Sequence, residues 1–260
     1  MSNAKIAGMN WFITGASSGI GRALALELAK QGHSVALFAR SADKLEAVAR
    51  EVEAVGGKAL VLAGDVRDAE AVVMAVQKAE STLGPLDRAV AVAGLATISP
   101  FLEQTTEQAR TMIETNTLGA IHLAHAVLPV MVARKRGHLC IVASILGRMG
   151  VANMSVYAGS KFALLGFAQG LRAELRGTGV GLTVVCPATV ETPFLDKAGR
   201  THLPRQDRFL PRLTPEQVAH AVVRAVKRKQ RMVTLPWVAR ISMRLHELFP
   251  ATFERIFYWF

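Results

Sequence analysis

A glycine-rich turn that joins a predicted strand to a predicted helix constrains the fold of this chain more than any other feature. Residues 10–14 form an apolar run, residues 14–21 read Thr-Gly-Ala-Ser-Ser-Gly-Ile-Gly, and residues 22–31 carry apolar side chains at helical spacing. A strand, a glycine turn and a helix in this order are typical of the first unit of an α/β domain with a parallel sheet. We therefore predict that such a sheet begins here.

The three glycines of this turn have separate predicted roles. Gly15 permits a sharp turn, Gly19 lets the backbone approach a bound group, and Gly21 lets the helix pack closely on the strand. The free N–H groups at the start of the helix would then bind the pyrophosphate of a dinucleotide. The other predicted cofactor contacts in this turn are Ser17, Ser18 and Ile20.

The first half of the chain alternates predicted strands with predicted helices that are joined by short links. Such alternation favours a parallel sheet that is covered by helices on both faces. The predicted strands are residues 10–14, 33–39, 58–63, 86–93, 137–144, 180–186 and 232–235. The predicted helices are residues 22–31, 43–55, 68–83, 106–133, 155–176 and 215–229.

The composition is that of one globular unit, because 260 residues of which 51% are hydrophobic can bury a single large core. We predict one domain over residues 9–235, with residues 1–8 as a disordered start or a remnant of cloning and residues 236–260 as a C-terminal extension. The connection from Ala188 to Arg212 is long for a compact domain and is predicted to be a lid or a binding loop.

The uncharged run from Thr115 to Ala133 is nominally long enough to cross a bilayer. Its two histidines and Pro129 favour a core or subunit-contact helix instead. Cys140 and Cys186 each lie in an apolar run that is predicted to be a buried strand, so inert core thiols in a reducing compartment are favoured over a disulfide.

The end of the second predicted strand carries information about the type of dinucleotide. An NAD site places a carboxylate here for the ribose hydroxyls, whereas this chain has Ala39, Arg40 and Ser41. A carboxylate would repel a 2′-phosphate, and a guanidinium binds it in a bidentate manner. The other interpretation of Arg40 is a solvated residue at a strand end. The missing acid favours NADP(H), with NAD(H) as the less favoured cofactor.

Two later strand ends are also predicted to contact the cofactor. The third strand leaves through Asp65 and Val66, where Asp65 either binds the adenine amino group or caps the next helix. The fourth strand leaves through Ala93 and Gly94, at the crevice where the order of the strands reverses. The sequence does not separate the two roles of Asp65.

Tyr157 and Lys161 lie four residues apart in a predicted helix, so they share one face of it. A tyrosine that exchanges protons near neutral pH needs a pKa about two to three units below its ordinary value of about 10. An ammonium about 4 Å away at an effective dielectric near 20 supplies about 4 kcal/mol, which is enough. We therefore expect Lys161 to lower the pKa of Tyr157, against the ordinary interpretation of a half-buried tyrosine and a solvated lysine.

Taken together, the motifs resemble the single-domain branch of the short-chain dehydrogenase/reductase superfamily. They are the glycine turn of residues 14–21, Asp65-Val66, Asn116, Ser144 and the run Tyr157-Ala158-Gly159-Ser160-Lys161. The resemblance covers about residues 8–235. It implies a Rossmann-type, doubly wound α/β fold with a seven-stranded parallel sheet, in a homodimer or homotetramer built on the two long helices from about Thr106 and Ser155.

The resemblance also implies roles for individual residues. Tyr157 would be the general acid/base, Ser144 would orient the substrate carbonyl, and Asn116 would hold a water that links Lys161 to solvent. Lys161 would lower the phenol pKa and bind the nicotinamide ribose. Further cofactor contacts after the sixth strand would be Pro187, Val190 and Thr192.

The chain departs from the family pattern at two places. The fourth strand ends Ala91-Val92-Ala93-Gly94, where the family often has two asparagines, so a contact that stabilises the sheet is expected to be absent. Ala188 follows Pro187 in place of the usual glycine and adds a methyl group near the expected nicotinamide position. The first departure puts stability in doubt and leaves the chemistry untouched.

Residues 236–260 form a basic, aromatic-rich amphipathic segment that the core fold does not require. It can lie in a membrane interface, pack over the substrate entrance or contact a second subunit. Each of these positions favours a lipophilic substrate.

The formal net charge of +11 is unevenly distributed. From Asp196 onward the chain has 13 Lys and Arg and 5 Asp and Glu, a net charge of +8, so any attraction to anionic partners belongs to the C-terminal end.

The leading prediction is therefore an NADPH-dependent carbonyl reductase in the cytoplasm, with possible contact to a membrane through residues 236–260. One alternative is a 3-oxoacyl-[acyl carrier protein] reductase, in which a basic cluster docks an acidic carrier. The residues of this cluster are Arg224, Lys227, Arg228, Lys229 and Arg231. A remote alternative, raised by the pI of about 10.3, is a non-catalytic dinucleotide-sensing or nucleic-acid-binding protein, but no base-reading motif is present.

His122 and His125 are three residues apart but lack a third ligand nearby, so no metal is predicted.

Overall fold

A computed structural model describes residues 8–199 and 210–259 of the chain, without the side chains of Lys197 and of residues 257–259. Residues 1–7 of the predicted start and residues 200–209 of the predicted binding loop lie outside the described part. The division into a domain at residues 9–235 and an extension at residues 236–260 stays a prediction.

One sheet of seven parallel strands forms the centre of the described structure, in the order β3-β2-β1-β4-β5-β6-β7. The strands are β1 (Asn10–Thr14), β2 (Ser34–Ala39), β3 (Lys58–Ala63), β4 (Arg88–Ala91), β5 (Gly137–Val142), β6 (Val180–Pro187) and β7 (Met232–Leu235). Trp11 pairs with Val35 of β2 on one side and with Arg88 of β4 on the other, so the strand order reverses at β1. The predicted Rossmann-type α/β fold is confirmed.

Helices cover both faces of this sheet. They are α1 (Gly19–Lys30), α2 (Ala42–Ala54), α3 (Ala69–Leu83), α4 (Thr106–Ile113), α5 (Gly119–Ala133), α6 (Ser155–Glu174), α7 (Pro193–Ala198), α8 (Pro215–Lys227), α9 (Trp237–Leu248) and α10 (Pro250–Trp259). Helices α1, α2 and α8 bury their apolar faces in one core cluster, and α3, α5 and α6 bury theirs in a second cluster on the opposite face. Helices therefore bury both faces of the sheet, as expected for strands that are continuous apolar runs.

Local sequence signals set where several helices begin. Asp68 accepts a hydrogen bond from the backbone N–H of Ala71 and caps α3. Thr105 and Thr214 form capping boxes with the glutamines three residues later and start α4 and α8. These caps satisfy backbone donors that the first helical turn leaves free.

Thr14 joins the end of β1 to the end of β4. Its hydroxyl oxygen accepts hydrogen bonds from the backbone N–H groups of Val92 at 3.1 Å and Ala93 at 3.2 Å. Thr14 is buried, so these bonds are shielded from water. The strand end that lacks the family's asparagines is thus held by a hydroxyl of its neighbour.

The predicted long helix over residues 106–133 is interrupted. A π-helical turn at Glu114–Leu118 separates α4 from α5. By length and composition this stretch could cross a membrane, but half of its most apolar window is buried within the protein. Met112 and Leu123 are fully buried, which supports the predicted core helix.

The C-terminal segment folds back over the carboxyl end of the sheet. Ala239 and Met243 of α9 are fully buried, and they pack in a small core cluster with Ile145, Met149 and Ala188. The methyl group of Ala188, where the family usually has glycine, therefore contacts the α9 layer. The inner face of α9 belongs to the protein interior.

Candidate active site

A cavity of about 650 Å³ opens at the carboxyl ends of the parallel strands. This is the edge at which α/β sheets bind ligands, next to the point where strand order reverses. The predicted site residues that line it are Gly15, Ser17, Ser18, Gly19, Ile20, Arg40, Asp65, Val66, Ala93, Gly94, Ser144, Tyr157, Lys161, Pro187, Val190 and Thr192. Three predicted residues, Gly21, Ser41 and Asn116, lie outside this lining.

The glycine turn forms a cradle that side chains would fill. Gly15 has a φ of +67°, and a Cβ there would lie 2.8 Å from the backbone of Ala93. Gly19 has a φ of +52°, and a Cβ there would lie 3.0 Å from the Thr192 side chain. Ser18 caps α1 without a side-chain hydrogen bond, and the first turn of α1 holds no acid. Free amides and an uncompensated helix dipole thus face the cavity, as a pyrophosphate needs.

Gly21 and Ser41 have structural positions instead. A Cβ on Gly21 would lie 2.3 Å from the carbonyl oxygen of Gly15, so Gly21 lets α1 pack against the turn, as predicted. Ser41 is the N-cap of α2, one residue beyond the cavity wall. Cofactor contacts of these two residues stay predictions.

Asp65 lies in the cavity wall and is held by Arg67, a residue that the sequence analysis missed. Its carboxylate accepts hydrogen bonds from the backbone N–H of Arg67 at 3.0 Å and from the guanidinium at 3.0 and 2.8 Å. Burial raises the pKa of Asp65, but the hydrogen bonds from Arg67 outweigh it, so the pKa lies below its ordinary value. Because Asp68 caps α3, the alternative that Asp65 is that cap is wrong.

Ser144, Tyr157 and Lys161 are brought together at the inner end of the cavity. All three side chains are buried. The Ser144 hydroxyl forms a hydrogen bond with the Tyr157 phenol, and it accepts one from the backbone N–H of Leu146 at 3.1 Å. The Lys161 Nζ lies 5.7 Å from the centre of the Tyr157 ring and donates to the carbonyl oxygen of Val142 at 3.3 Å.

The ionisation of this group differs from the expectation. Burial raises the pKa of Tyr157 to about 12, and the hydrogen bond from Ser144 only partly opposes this. Burial lowers the pKa of Lys161 to about 8. The expected downward shift of the phenol pKa by Lys161 is therefore not found. The four-residue spacing correctly predicts that Tyr157 and Lys161 share one helix face. It does not show how deeply they are buried, and burial has the largest effect on the pKa of each side chain.

Asn116 lies behind the cavity wall, in the π-helical turn. Its Oδ1 accepts from the Leu95 backbone N–H at 2.8 Å, and its Nδ2 donates to the Leu95 carbonyl and the Ser160 hydroxyl, both at 2.9 Å. A Cβ on Gly94 would lie 3.1 Å from Asn116 Oδ1 and 3.5 Å from Lys161 Nζ. Asn116 therefore fixes the exit of β4 directly beside Lys161.

An apolar half of the cavity extends from Tyr157, and its residues belong to no recognisable sequence motif. They are Leu146, Met149, Val151, Met154, Phe194, Leu210, Val238 and Met243. The Phe194 ring lies 6.0 Å from the Tyr157 ring at 60°. Ser242 of α9 adds one polar side chain to this wall. The amphipathic pattern of residues 236–260 was the available signal, but it did not show which face would point inward.

Comparison with known proteins identifies the family. A sequence model described as short chain dehydrogenase matches residues 10–202. The chain belongs to the short-chain dehydrogenase family. This short-chain dehydrogenase is accordingly an NAD(P)-dependent oxidoreductase that acts on CH–OH or C=O groups.

Curated relatives of this short-chain dehydrogenase include several reductases. It is 33% identical to a ketoacyl reductase, HetN, of Nostoc sp., over 98% of this chain and 90% of the relative. It is also 33% identical to a 3-dehydrosphinganine reductase of Danio rerio, over 85% and 69% of the two chains. The 3-ketodihydrosphingosine reductase of Bos taurus is 33% identical over 84% and 68%.

Solved structures share the fold of this short-chain dehydrogenase. A short chain dehydrogenase/reductase of Burkholderia phymatum, solved in complex with NAD, superposes with a TM-score of 0.85 at 23% identity, covering 94% of each chain. A short-chain type dehydrogenase/reductase of Mycobacterium marinum superposes with a TM-score of 0.81 at 28% identity, covering 88% of this chain and 94% of the other.

The described residues of this short-chain dehydrogenase fit a nicotinamide dinucleotide. The glycine cradle is open enough for a pyrophosphate, Arg40 and Asp65 line the same cavity, and the Thr192 side chain lies against Gly19. In this part of the chain, no group of three or more His, Cys, Asp or Glu side chains is placed to hold a metal ion.

Proposed function

We propose that this short-chain dehydrogenase is an NADPH-dependent reductase of a lipophilic ketone and that it also catalyses the reverse oxidation of the alcohol. One observation carries the proposal: a single cavity joins the phosphate cradle and Arg40 at one end to Ser144 and Tyr157 within an apolar half at the other. The curated reductases of ketoacyl and sphingoid-type ketones support the same substrate class.

The proposed chemistry follows from the ionisation states of the site. A bound nicotinamide dinucleotide supplies the hydride. Tyr157, with a pKa of about 12, is protonated near neutral pH and can donate its proton to the carbonyl oxygen as negative charge grows there. The Ser144 hydroxyl donates a second hydrogen bond to that oxygen. In the reverse reaction the deprotonated Tyr157 accepts the proton of the alcohol, and Ser144 again donates a hydrogen bond to the substrate oxygen.

Lys161 has the proposed role of a nearby cation. With a pKa of about 8 it is mostly protonated at pH 7, so it stabilises negative charge that develops on the Tyr157 oxygen. Its hydrogen bond to Val142 fixes the ammonium in place. We assign to Asn116 the positioning of Gly94 and Leu95 beside Lys161, and the proposed water that links Lys161 to solvent.

The preference for NADPH is proposed on the basis of Arg40. This exposed side chain lines the cavity directly after β2, where an NAD site has a carboxylate. The nearby Asp65 carboxylate is paired with Arg67, so its repulsion of a 2′-phosphate is reduced. A guanidinium at this position favours the phosphate of NADP(H) by charge and by shape.

Replacement of Arg40 tests this proposal. In Arg40→Ser we expect the KM for NADPH to rise at least about tenfold with a long-chain ketone, because a charged hydrogen bond is lost. The KM for NADH should stay within about twofold of its wild-type value. Arg50→Ser, which removes an exposed arginine of α2 outside the cavity, is the matched control. Equal losses for both cofactors in Arg40→Ser would contradict the NADPH preference.

A second candidate is the reduction of 3-oxoacyl groups on an acyl carrier protein, because one relative is a ketoacyl reductase. The predicted docking cluster does not support it. Lys227 ends α8 and Arg231 precedes β7, at the edge opposite the cavity. Turnover of a 3-oxoacyl chain on the carrier, compared with the same chain on a small thiol ester, discriminates the two candidates. A marked preference for the carrier that Lys227→Glu abolishes would favour the second.

The surroundings of the enzyme are proposed from its surface and its thiols. Cys140 and Cys186 are buried and unpaired, which supports a reducing compartment such as the cytoplasm. Exposed apolar side chains on the helices that the family uses for assembly support a homodimer or homotetramer. They are Ile113, Leu118, Val130 and Phe162.

A further inference from the structure

The outer surface of α9 carries a stripe of large apolar side chains. Trp237, Ile241, Leu245 and Leu248 recur at the spacing of one helical face. Each exposes between 48% and 70% of its surface. Phe249, directly after the helix, is 61% exposed. Such a contiguous patch on a folded protein is typical of a surface that meets an apolar partner.

The free charge on this surface is positive. Arg240 and Arg244 are exposed beside the stripe, and among the described residues no carboxylate forms a salt bridge with either of them. Of the acids of the segment, Glu247 pairs with Arg148, and the Glu254 carboxylate lies 3.3 Å from His246 Nε2. We call Trp237, Arg240, Ile241, Arg244, Leu245 and Leu248 the α9 outer face.

The opposite side of the same helix forms part of the cavity wall. Val238, Ser242 and Met243 line the apolar half of the cavity, and Ala239 and Met243 are fully buried. One helix, about 10 Å across, therefore separates the substrate end of the cavity from the α9 outer face.

We propose that the α9 outer face binds the surface of an anionic lipid bilayer. Its apolar stripe enters the interface, and Arg240 and Arg244 contact anionic headgroups. Trp237 sits at headgroup depth, where tryptophan is favoured. Resting on the proposed function, the bilayer is also the source from which a lipophilic ketone reaches the cavity beside α9.

A bilayer suits this surface better than a protein partner. A contact between two copies through this surface would bury Arg240 and Arg244 beside the stripe with no carboxylate of the α9 outer face to pair them, whereas the core of a stable protein interface is depleted in charge. An acidic carrier protein would satisfy Arg240 and Arg244. Such a carrier would give the four large apolar side chains of the stripe no apolar surface to pack against.

Vesicle binding of the full-length protein tests the proposal. Co-sedimentation is measured with vesicles of phosphatidylcholine alone and with vesicles that also contain phosphatidylglycerol. The wild type should bind the mixed vesicles at least about tenfold more tightly, and raised salt should weaken this binding. The double variant Arg240→Glu with Arg244→Glu should lose at least about tenfold in affinity. Ile241→Ser with Leu245→Ser should lose binding while keeping the charge.

The matched control reverses two charges at the same spacing on another helix. Arg224→Glu with Arg228→Glu, at the end of α8, should bind the mixed vesicles as the wild type does. The proposal is overturned if the wild type does not bind, or if the control pair loses as much affinity as the α9 pair. It is also overturned if the α9 variants change only the oligomeric state, or only the binding of an acyl carrier protein.

Reductase activity with a short, water-soluble ketone in the absence of vesicles separates the two proposals. Activity in solution together with no vesicle binding overturns the docking proposal and leaves the proposed function in place. If the protein binds vesicles but does not oxidise NADPH when it is given either a soluble or a lipid-borne ketone, the docking surface is supported and the proposed function is wrong.

Discussion

At the scale of single residues, His138 carries a large effect of burial outside the active site. It is the second residue of β5, and its Nε2 is 2.8 Å from the Thr183 hydroxyl of β6. Gly181 leaves room for the ring, because a Cβ there would lie 2.3 Å from His138 Nδ1. Burial lowers the pKa of His138 to about 4, and nearby cations add to this shift.

This shift predicts a loss of stability in acid. Between pH 6.5 and pH 4 the unfolded chain protonates His138 and the folded protein does not, so the free energy of unfolding falls as the pH falls through this window. The loss reaches about 3 kcal/mol. In urea unfolding at pH 7 and pH 4.5, His138→Gln should lose clearly less stability than the wild type. His125→Gln, at an exposed site, is the control, and an equal loss in all three proteins would contradict the account.

At the scale of elements, Arg148 joins the turn after Ser144 to the C-terminal helix α9. Its side chain is only 9% exposed. Its Nε donates to Glu247 of α9 at 3.0 Å, and its Nη1 donates to the Thr234 hydroxyl of β7 at 3.0 Å. This ion pair, in which the guanidinium is buried and Glu247 is 44% exposed, therefore adds to the packing of Ala239 and Met243 that holds α9 over the cavity.

Removal of this ion pair should loosen α9. Glu247→Ala leaves a largely buried guanidinium without its carboxylate, which costs about 1 to 2 kcal/mol. The melting temperature should fall by about 2 to 6 °C, and trypsin should cleave after Arg240 and Arg244 earlier than in the wild type. Glu46→Ala, at an exposed position of α2, should change neither measurement. Unchanged proteolysis in Glu247→Ala would mean that the pair does not hold α9.

The elements also show which parts of the fold the sequence predicts. The bounds of β1, β3 and β7 agree with the prediction residue for residue, because each strand is a largely apolar run that is followed directly by a glycine or a proline. The π-helical turn at Glu114–Leu118 was not predicted, since the helical pattern runs through it. Asn116 in this turn donates hydrogen bonds to Leu95 and Ser160, which lie far away in sequence, and a local pattern carries no signal of such contacts.

In the candidate site too, the sequence predicts what local motifs determine and misses what long-range packing determines. Residues in motifs of fixed spacing, such as Gly15, Tyr157 and Lys161, could be placed in the cavity from the sequence alone. The contribution of α9 could not, because it depends on how Met243 packs against Ala188 across the fold. The pKa values could not either, because burial is a property of the complete structure.

At the scale of the whole molecule, assembly should depend on the apolar surface of α4, α5 and α6. Phe162 of α6 is exposed, as are Ile113 and Leu118 at the junction of α4 and α5. Phe162→Glu would place a charge in the proposed subunit contact and should convert the proposed oligomer into smaller species. Light scattering coupled to size-exclusion chromatography measures this. Met74→Glu, at an exposed apolar site of α3, should leave the oligomer intact, and a Phe162→Glu protein of unchanged mass would contradict this interface.

We propose that Tyr157 transfers the proton to the substrate oxygen within the cavity that would bind the dinucleotide. The most direct test compares Tyr157→Phe with the wild type in two measurements: kcat/KM for NADPH-dependent reduction of a long-chain ketone, and the Kd for NADPH in a fluorescence titration. We predict that kcat/KM falls at least about a hundredfold while the Kd changes by less than about threefold. A Tyr157→Phe enzyme that keeps its NADPH affinity and more than a tenth of its wild-type kcat/KM would contradict the claim.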